Sequence, residues 1–404
     1  MAETPQDSPY RTMVDALVDV PEHSVSTAEL AGWRIQAGTI VVTIGDAGVS
    51  SVSSLFGAIA DAVHVSDRHL HRWRERLRLS GRAIAPSLFP PLLAGGQAKG
   101  VSAQTMIYSA ATSLARVNDK TTIVVEAQAN AGFWNDPCAA GLILVASSDD
   151  GDQVRRQIAL LATPESTVVM APQRESIADA IRQATMEAGA ALHEVAALCK
   201  IGKVESTENG QRFTIEIPAG RYTVEIPALG AHQRTNLATS LVGAGSLASG
   251  ELDASGIAAR LKYTELPLRF ESIKASPRVL VDSASTCLAY RALERTLRDA
   301  GVTPALVVAA VDADTNIEDL VAALTSIGAE TRLAFAGIDR PIADSVGQAL
   351  RDQRMPVQLA GASGPALDQA LAGAGPRDTI LVFGARRPTA DARAYLLGLE
   401  QDPV

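Results

Sequence analysis

The stretch of this sequence with the clearest chemical signature is the glycine- and serine-rich turn GDAGVSS at residues 45–51. It follows the apolar run Ile40–Ile44, which predicts a buried strand, and it precedes a segment that predicts a helix. A glycine-rich turn between a strand and a helix can hold phosphate groups on backbone N–H groups and on the positive end of the helix. The alternative is a plain strand-to-helix turn in which Ser50 or Ser51 caps the helix.

The turn lacks the lysine with which such loops reach the terminal phosphates of ATP. Asp46 is its only charged residue. A carboxylate that faces polyphosphate is repelled by roughly 4 kcal/mol per charge pair at about 4 Å, with an effective dielectric constant of about 20. The sequence therefore predicts a turn that keeps the shape of a phosphate-binding loop and has lost its chemistry for ATP.

A second candidate is the basic segment RHLHRWRERLRLSGR at residues 68–82. Its polar side chains His69, Arg74, Glu75 and Arg76 predict one wall of a site for an acidic ligand. The alternative is a solvated surface of paired charges, which contributes little to binding or stability.

Four further side chains stand where chemistry is often found. Glu126 ends a predicted strand, and carboxyl ends of parallel strands face the ligand-binding edge of a sheet. Cys287 begins a predicted helix and is a candidate nucleophile, with a buried inert thiol as the alternative. Trp73 and Trp134 stand out in a chain with 4% aromatic residues, and they predict either an apolar lid over a flat ligand or a simple filling of space.

Length and composition exclude several classes of function. The 404 residues, 47% of them hydrophobic, predict two globular domains. A net charge of −9 gives no electrostatic footprint for nucleic acid or an anionic membrane. Cys138, Cys199 and Cys287 show no paired spacing and no zinc pattern. The sequence has no apolar run of membrane-spanning length and no signal-peptide pattern, which predicts a cytoplasmic protein.

Strands and helices alternate along most of the chain, which predicts a largely parallel sheet covered on both faces. In the first part, the apolar runs predict strands at Thr39–Ile44, Thr121–Val125, Gly141–Ala146 and Thr167–Met170. The helical patterns there are Val52–Val63, Ser102–Val117, Glu175–Gly189 and Gln233–Ala248. Arg212–Pro227 alternates with a period of two around a Pro-Ala-Gly turn and predicts an antiparallel hairpin at the sheet edge. From Arg278 the alternation resumes and predicts a second, smaller sheet without a dinucleotide fingerprint.

Several stretches, taken in order, resemble the folylpolyglutamate synthase/dihydrofolate synthase branch of the Mur ligase superfamily. The turn GDAGVSS is similar to the family loop GTNGKGS, with Val49 in the place of the lysine. Residues 65–79, VSDRHLHRWRERLRL, are similar to YTSPHLVSFNERIRI, and residues 229–241, LGAHQRTNLATSL, resemble LGxHQxxNAATAL. Three shorter stretches are similar to further family motifs: residues 124–137 keep Glu126 of LEVGLGGRLDATN, residues 266–270 keep Arg269 of LPGRL, and residues 279–285 retain only Asp282 of LLDGAHNP.

The resemblance implies a reaction and a set of roles. The family uses ATP and Mg²⁺ to phosphorylate a carboxylate, and an amine such as that of glutamate then displaces the phosphate. By resemblance, Glu126 and Ser51 would hold metal and Asn236 would touch adenine. The family's metal-binding histidine and carbamylated lysine fall near Ser147–Gly151 and near Ile158, where this sequence has neither residue type. The resemblance therefore implies that the second magnesium ion has lost its ligands.

The resemblance also implies the fold and its division. It is an α/β fold, with a Mur-ligase-like, P-loop-type central domain built on a mostly parallel sheet, followed by a smaller Rossmann-like C-terminal α/β domain. We place the central domain at residues 1–267 and the C-terminal domain at residues 268–404.

Three hypotheses about function follow. The first is a repurposed homologue that has lost ATP- and Mg²⁺-dependent ligation and acts on a small biosynthetic metabolite in the interdomain cleft. The second is a non-catalytic pseudoenzyme or partner subunit, and the third is an atypical ATP-dependent amide (glutamyl) ligase. We expect no cofactor, no bound metal, no nucleic acid and no membrane, with a small-molecule ligand and either a protein partner or a homo-oligomer.

The first hypothesis assigns roles to particular side chains. The catalytic candidates are Glu126, His69, His232 and Cys287. The substrate-binding candidates are Arg74, Glu75, Arg76, Trp73 and Trp134. The vestigial nucleotide-binding residues are Gly45, Gly48, Ser51, Asn236, Arg269 and Asp282.

Overall fold

The computed structural model describes residues 39–66, 73–88, 103–118, 120, 122–127, 140–207, 210–248 and 251–399. The chain divides into two compact units. The first comprises the described residues up to Pro227 together with Gln233–Glu265, and the second comprises Ala228–His232 and the described residues from Leu266 onward. Among the described residues, no helix is both long enough and apolar enough to cross a membrane.

The first unit is organised around one mostly parallel sheet. Its described strands are β1 (Thr39–Ile44), β2 (Val63–Val65), β3 (Leu77–Leu79), β4 (Arg82–Ala83), β5 (Thr122–Glu126), β6 (Leu142–Val145), β7 (Thr167–Met170) and β8 (Ala191–Glu194). They lie in the order β4-β3-β2-β5-β1-β6-β7-β8. Among the described strands, β3 alone runs against the others, since it pairs antiparallel with both β2 and β4. The central strands are buried on both faces, as their unbroken Val/Ile/Leu runs require.

Helices cover this sheet, and a separate sheet stands beside it. The described helices of the first unit are α1 (Val49–Ile59), α2 (Ala103–Val117), α3 (Gly151–Leu161), α4 (Glu175–Glu187), α5 (Val195–Leu198), α6 (Ala231–Leu247) and α7 (Ala254–Lys262). The first two residues of α6, Ala231 and His232, belong to the second unit. Short 3₁₀ turns lie at Trp73–Arg76 and Pro86–Leu88. The strands β9 (Lys200–Thr207), β10 (Gly210–Ile217) and β11 (Gly220–Ile226) form a three-stranded antiparallel sheet.

Two local predictions need correction. The predicted helix Val52–Val63 begins earlier, at Val49, and ends at Ile59, because Val63–Val65 is taken into the sheet as β2. The predicted hairpin does form, as β10 and β11, yet it does not extend the parallel sheet. It pairs instead with β9, whose residues are nearly all exposed and so gave no apolar pattern in the sequence.

The second unit is a smaller α/β structure. Its strands are β12 (Glu271–Ala275), β13 (Arg278–Asp282), β14 (Leu306–Val311), β15 (Glu330–Phe335), β16 (Val357–Gly361) and β17 (Thr379–Gly384), in the order β12-β13-β17-β14-β15-β16. Its helices are α8 (Cys287–Asp299), α9 (Ile317–Ile327), α10 (Arg340–Asp352), α11 (Ser363–Gly373) and α12 (Arg386–Leu397), with a 3₁₀ turn at Gly337–Asp339. All strand pairs except β12–β13 are parallel, so the predicted Rossmann-like sheet is confirmed.

Candidate functional site

The turn at residues 45–51 has the backbone of a cradle. Gly45 and Gly48 have φ angles of +128° and +85°, which side-chain-bearing residues rarely adopt. A Cβ atom on Gly48 would lie 2.8 Å from Oδ1 of Asn236, so the asparagine side chain lies directly against the turn. Asn236 is itself fixed, because its Nδ2 donates to Oε1 of Gln233 at 3.2 Å. The structure thus places Asn236 against Gly48 of the turn, and their predicted role in nucleotide binding stays a prediction.

The serine-cap alternative for this turn is wrong. The N-cap of α1 is Gly48, and no side chain caps the helix. Ser50 instead donates from Oγ to Oε2 of Glu126 at 3.1 Å. Ser51, the implied metal-binding hydroxyl, is buried in the first turn of α1.

Asp46 does not face into the turn, which corrects the expectation of direct repulsion. Its carboxylate accepts hydrogen bonds from Oγ of Ser148, from the backbone N–H of Asp149 at 3.0 Å and from Nε2 of Gln153 at 3.2 Å. The backbone N–H groups of Asp46 and Ala47 both donate to the carbonyl of Ser147. The carboxylate therefore ties the turn to the segment after β6.

Glu126 is the centre of a buried polar cluster at the carboxyl ends of three neighbouring strands. His64 Nε2 lies 2.8 Å from Oε1 of Glu126, and both side chains are only 1% exposed. Oε2 accepts from Oγ of Ser66 at 3.0 Å as well as from Ser50. Because β2, β5 and β1 are adjacent and parallel, Ser66, Glu126 and the start of α1 meet at one edge of the sheet.

Three polar atoms beside this cluster are buried and have no hydrogen-bond partner in the structure as described. They are Oγ1 of Thr43, Oγ of Ser53 and Nδ1 of His64. Thr43 is the register partner of Glu126 on the neighbouring strand, so the two side chains share one face of the sheet. Ser53 follows Ser50 by one helical turn on α1. Buried polar atoms without partners are rare and mark places where water or an ion binds.

The donor set fits one magnesium ion. The Glu126 carboxylate and the hydroxyls of Ser50, Ser66 and Thr43 are the hard oxygen ligands that this ion prefers. Within the described residues, no three His, Cys, Asp or Glu side chains are grouped as a metal cage. A magnesium ion would therefore complete its coordination with water and phosphate oxygens, as it does in many nucleotide sites.

The basic segment contributes buried arginines. Arg76 is 6% exposed and donates from Nε to the carbonyl of Ser66 at 3.3 Å. Arg78 donates from Nη1 to the carbonyl of Glu265 at 3.3 Å. Glu75 is half-buried in the 3₁₀ turn. His69, Trp134 and the side chains of Trp73 and Arg74 lie outside the described residues, so their predicted roles stay predictions.

In the second unit, Arg269 and Asp282 lie at one end of β13. The Asp282 carboxylate accepts from the backbone N–H groups of Phe270 at 2.9 Å and Ala284 at 2.8 Å, and Arg269 donates to Oγ of Ser283. Cys287 is the first residue of α8, whose N-cap is Thr286. The half-buried His232 belongs to this unit and packs against Gly230.

Burial sets a pH dependence at Asp282. It raises the pKa of this carboxyl from 3.8 to about 6, while Arg269 and the two backbone N–H groups oppose the shift. The folded protein then binds the proton more tightly than the unfolded chain. Stability from this group is therefore present below about pH 4 and is lost as pH rises through about 6, by about 3 kcal/mol at most.

In Asp282→Asn, we expect the difference from wild type in the urea midpoint to change across this pH window and to be constant above it. A difference that does not vary with pH would contradict this origin.

Sequence reasoning missed His64, Ser50, Ser66 and Thr43 as members of the cluster. A usable signal was present, because HVS at residues 64–66 ends a short apolar run just as Glu126 ends another. Carboxyl ends of adjacent parallel strands converge, so the pairing of β2 with β5 brings His64 and Ser66 to Glu126. That pairing could not be read from three residues of β2.

These observations define a class: a two-unit α/β protein with a mostly parallel sheet, a glycine-rich turn before helix α1 and a carboxylate beside that turn.

No protein-family model matches the chain. In sequence, the chain is 30% identical over 185 residues to the probable bifunctional folylpolyglutamate synthase/dihydropteroate synthase of Haloferax volcanii. The matched residues make up 45% of this chain and 22% of that protein. This match therefore spans about a fifth of the relative's length. It is 22% identical over 368 residues to the dihydrofolate synthase/folylpolyglutamate synthase of Mycobacterium tuberculosis, covering 79% of this chain and 72% of that one.

Solved structures agree with the sequence matches. The folylpolyglutamate synthase of Mycobacterium tuberculosis, complexed with ADP and AMPPCP, superposes with a TM-score of 0.80 at 17% identity and covers 97% of this chain and 99% of its own. The folylpolyglutamate synthetase of Lactobacillus casei gives 0.71 at 17% identity, over 96% and 100%. The chain therefore has the two-domain fold of folylpolyglutamate synthase and the Mur ligases. The resemblance read from its sequence is confirmed.

Proposed function

We propose that this protein is an atypical ATP-dependent amide ligase of the folylpolyglutamate synthase kind, which binds its nucleotide at the turn 45–51 without a loop lysine. The observation that carries the proposal is the direction of two carboxylates. Asp46 is bound to the segment at residues 148–153, whereas Glu126 is held at the start of α1 by Ser50. The Glu126 carboxylate of β5 thus lies beside the turn, where a metal would bind, while the turn's own carboxylate, Asp46, points away from it.

The electrostatic argument against ATP is weaker than the sequence alone suggests. A charge in the turn would oppose phosphate by roughly 4 kcal/mol at about 4 Å, but hydrogen bonds to Asp46 hold its carboxylate elsewhere and spread its charge. Val49 remains a real loss, because it leaves the cradle without the cation that attracts the terminal phosphate. The backbone N–H groups of Asp46 and Ala47 already donate to the carbonyl of Ser147. Binding then depends on the N–H groups from Gly48 onward at the N-terminus of α1 and on a metal at Glu126. We infer weak rather than absent affinity.

The relatives indicate the substrate class. Related synthases are seen with ADP, with AMPPCP and, in one complex, with AMPPCP and folate together. The inferred substrates of this chain are an adenine nucleotide and a small carboxylate of the folate kind, which an amine such as glutamate extends. A bound magnesium ion would neutralise charge on the phosphates during transfer. Glu126, Ser50 and Ser66 would hold it.

The second candidate is a homologue that has lost ligation and either performs another reaction or acts without catalysis. Two observations favour it. Val49 stands where the family loop has its lysine, so the turn lacks that positive charge. Ile158, near which the family's carbamylated lysine falls, is fully buried in the core on α3. A second magnesium ion therefore lacks the family's lysine and histidine ligands at Ile158 and at residues 147–151.

Calorimetric titration of the full chain with AMPPCP, with and without Mg²⁺, tests the proposal. We expect metal-dependent binding in the wild type. Val49→Lys should tighten it by about tenfold, because a lysine in the cradle adds at least roughly 1.4 kcal/mol of attraction after desolvation. Asp46→Asn is the matched control, and its affinity should stay within about threefold of wild type because that side chain faces away from the cradle.

The outcomes separate the two candidates. Metal-dependent binding, followed by release of ADP that requires both glutamate and a folate-like carboxylate, supports the ligase. If neither the wild type nor a folded Val49→Lys variant binds AMPPCP, the ligase is excluded and the second candidate stands. Asp46→Asn gaining as much affinity as Val49→Lys would show that Asp46 does face the phosphates.

A further inference from the structure

The two oxygens of the Glu126 carboxylate have different surroundings. Oε1 lies 2.8 Å from Nε2 of His64, a side chain as buried as Glu126 itself. Oε2 lies within 3.1 Å of two hydroxyls, that of Ser50 in the first turn of α1 and that of Ser66 directly after β2. A carboxylate can only accept hydrogen bonds, so Nε2 of His64 is the donor. Among the described residues, Oε1 therefore contacts a nitrogen donor and Oε2 contacts two hydroxyl groups.

The fold holds His64 rigidly in this position. It is the central residue of β2, where it pairs with Val124, two residues before Glu126 on the same face of β5. Helix α1 packs over this face, and a Cβ atom on Gly57 would lie 3.4 Å from the Cβ of His64. The imidazole is enclosed between sheet and helix, and it cannot release Oε1 by swinging into solvent.

We propose that His64 is a positioning residue that withholds Oε1, so that Glu126 offers a divalent cation a single oxygen, Oε2, and that the site therefore selects Mg²⁺ over Ca²⁺. This rests on the proposed function, since it concerns the metal of the same site. The buried Oγ1 of Thr43, which has no partner in the described structure, lies on the same face as Glu126 and supplies a further oxygen.

The selectivity follows from the coordination habits of the two ions. Calcium takes roughly six to eight oxygens at flexible distances and often binds both oxygens of one carboxylate. Magnesium requires a compact octahedron, usually with one oxygen from each carboxylate and several waters. A carboxylate with one oxygen already engaged by a buried imidazole suits magnesium, and it denies calcium the two-oxygen contact.

The experiment measures metal preference directly, without turnover. Binding of Mn²⁺ to the full chain is followed by the electron paramagnetic resonance signal of the free ion, with and without AMPPCP, and Mg²⁺ and Ca²⁺ compete for the site. In the wild type, we expect Mg²⁺ to displace Mn²⁺ at a concentration about tenfold lower than Ca²⁺ does. His64→Phe keeps a ring but removes the donor, and this ratio should fall at least about threefold as Oε1 becomes available. His64→Gln places an amide N–H near the position of Nε2, and it should retain the wild-type ratio.

Several results would overturn the proposal. They are equal competition by Ca²⁺ and Mg²⁺ in the wild type, no Mn²⁺ binding under either condition, or an unchanged ratio in a folded His64→Phe variant. If His64→Phe fails to fold, the wild-type ratio and its retention in His64→Gln decide. A purely structural role would lower the unfolding midpoint of His64→Phe without moving the ratio. Failure of the proposed function looks different: Mn²⁺ binds with the expected preference, which supports the role of His64, while AMPPCP does not bind.

Discussion

Replacing Glu126 by leucine is expected to lower the free energy of unfolding by about 3 to 5 kcal/mol, the largest side-chain effect in the first unit. The substitution leaves an apolar side chain beside His64, Ser66 and Ser50, each of which loses a hydrogen bond. His64 and Ser66 are buried, so water cannot replace the bonds that they lose. Urea unfolding followed by circular dichroism measures the change, and the slope of the transition should stay constant. Glu126→Gln, which keeps the shape and one acceptor, should lose less.

The double variant Glu126→Leu/His64→Leu separates the pair from its surroundings. Because removal of both partners leaves no unpaired imidazole, its loss should be smaller than the sum of the two single losses by at least about 1 kcal/mol. Additive losses, or a loss below about 1 kcal/mol for Glu126→Leu alone, would show that the pair is not the anchor of this part of the fold.

Gly384→Ala is expected to have a comparable effect on the second unit, with a loss of about 3 kcal/mol or more. Gly384 ends β17 with a φ angle of +126°, and a Cβ atom there would collide with the backbone carbonyl of Ala310 on the neighbouring β14. Backbone in the middle of a parallel sheet cannot move aside as a flexible side chain can.

Gly361→Ala is the matched control for this prediction. Gly361 also has a positive φ angle, +78°, but a Cβ atom there would meet nothing within 4 Å. It should cost only the conformational strain, about 1 kcal/mol. Thermal unfolding of both variants gives the comparison. Equal losses in the two would mean that strain, rather than the collision with Ala310, sets the cost.

Much of the fold could be predicted because the patterns that specify it are local. The buried runs of β1, β5 and β7 were placed within one residue. Elements with mixed or polar sequences were missed, namely β9, α3 and α12. Their residues face solvent on at least one side, so their place is decided by long-range pairing that a single sequence does not record.

In the candidate site, too, features set by local sequence could be predicted, and features set by distant residues could not. The positive φ angles of Gly45 and Gly48 could be predicted, because a tight glycine-rich turn after a strand requires them. The direction of Asp46 could not, since it depends on Ser148 and Gln153, about a hundred positions away. The partnership of Glu126 with His64 likewise depends on the order of strands in the sheet. Sequence patterns identified the groups that carry charge and left open which way each one points.

Strand β9 has a consequence for the behaviour of the protein at high concentration. Among the described strands it pairs on one side only, with β10, so its other side offers backbone N–H and C=O groups to any passing strand. Such an edge is a template for aggregation. Here it carries the exposed charges of Lys200, Lys203 and Glu205, and the β9–β10 register is interrupted between Phe213 and Ile215. An incoming strand would have to bury these charges against an irregular ladder, so the edge itself resists the growth of intermolecular sheets.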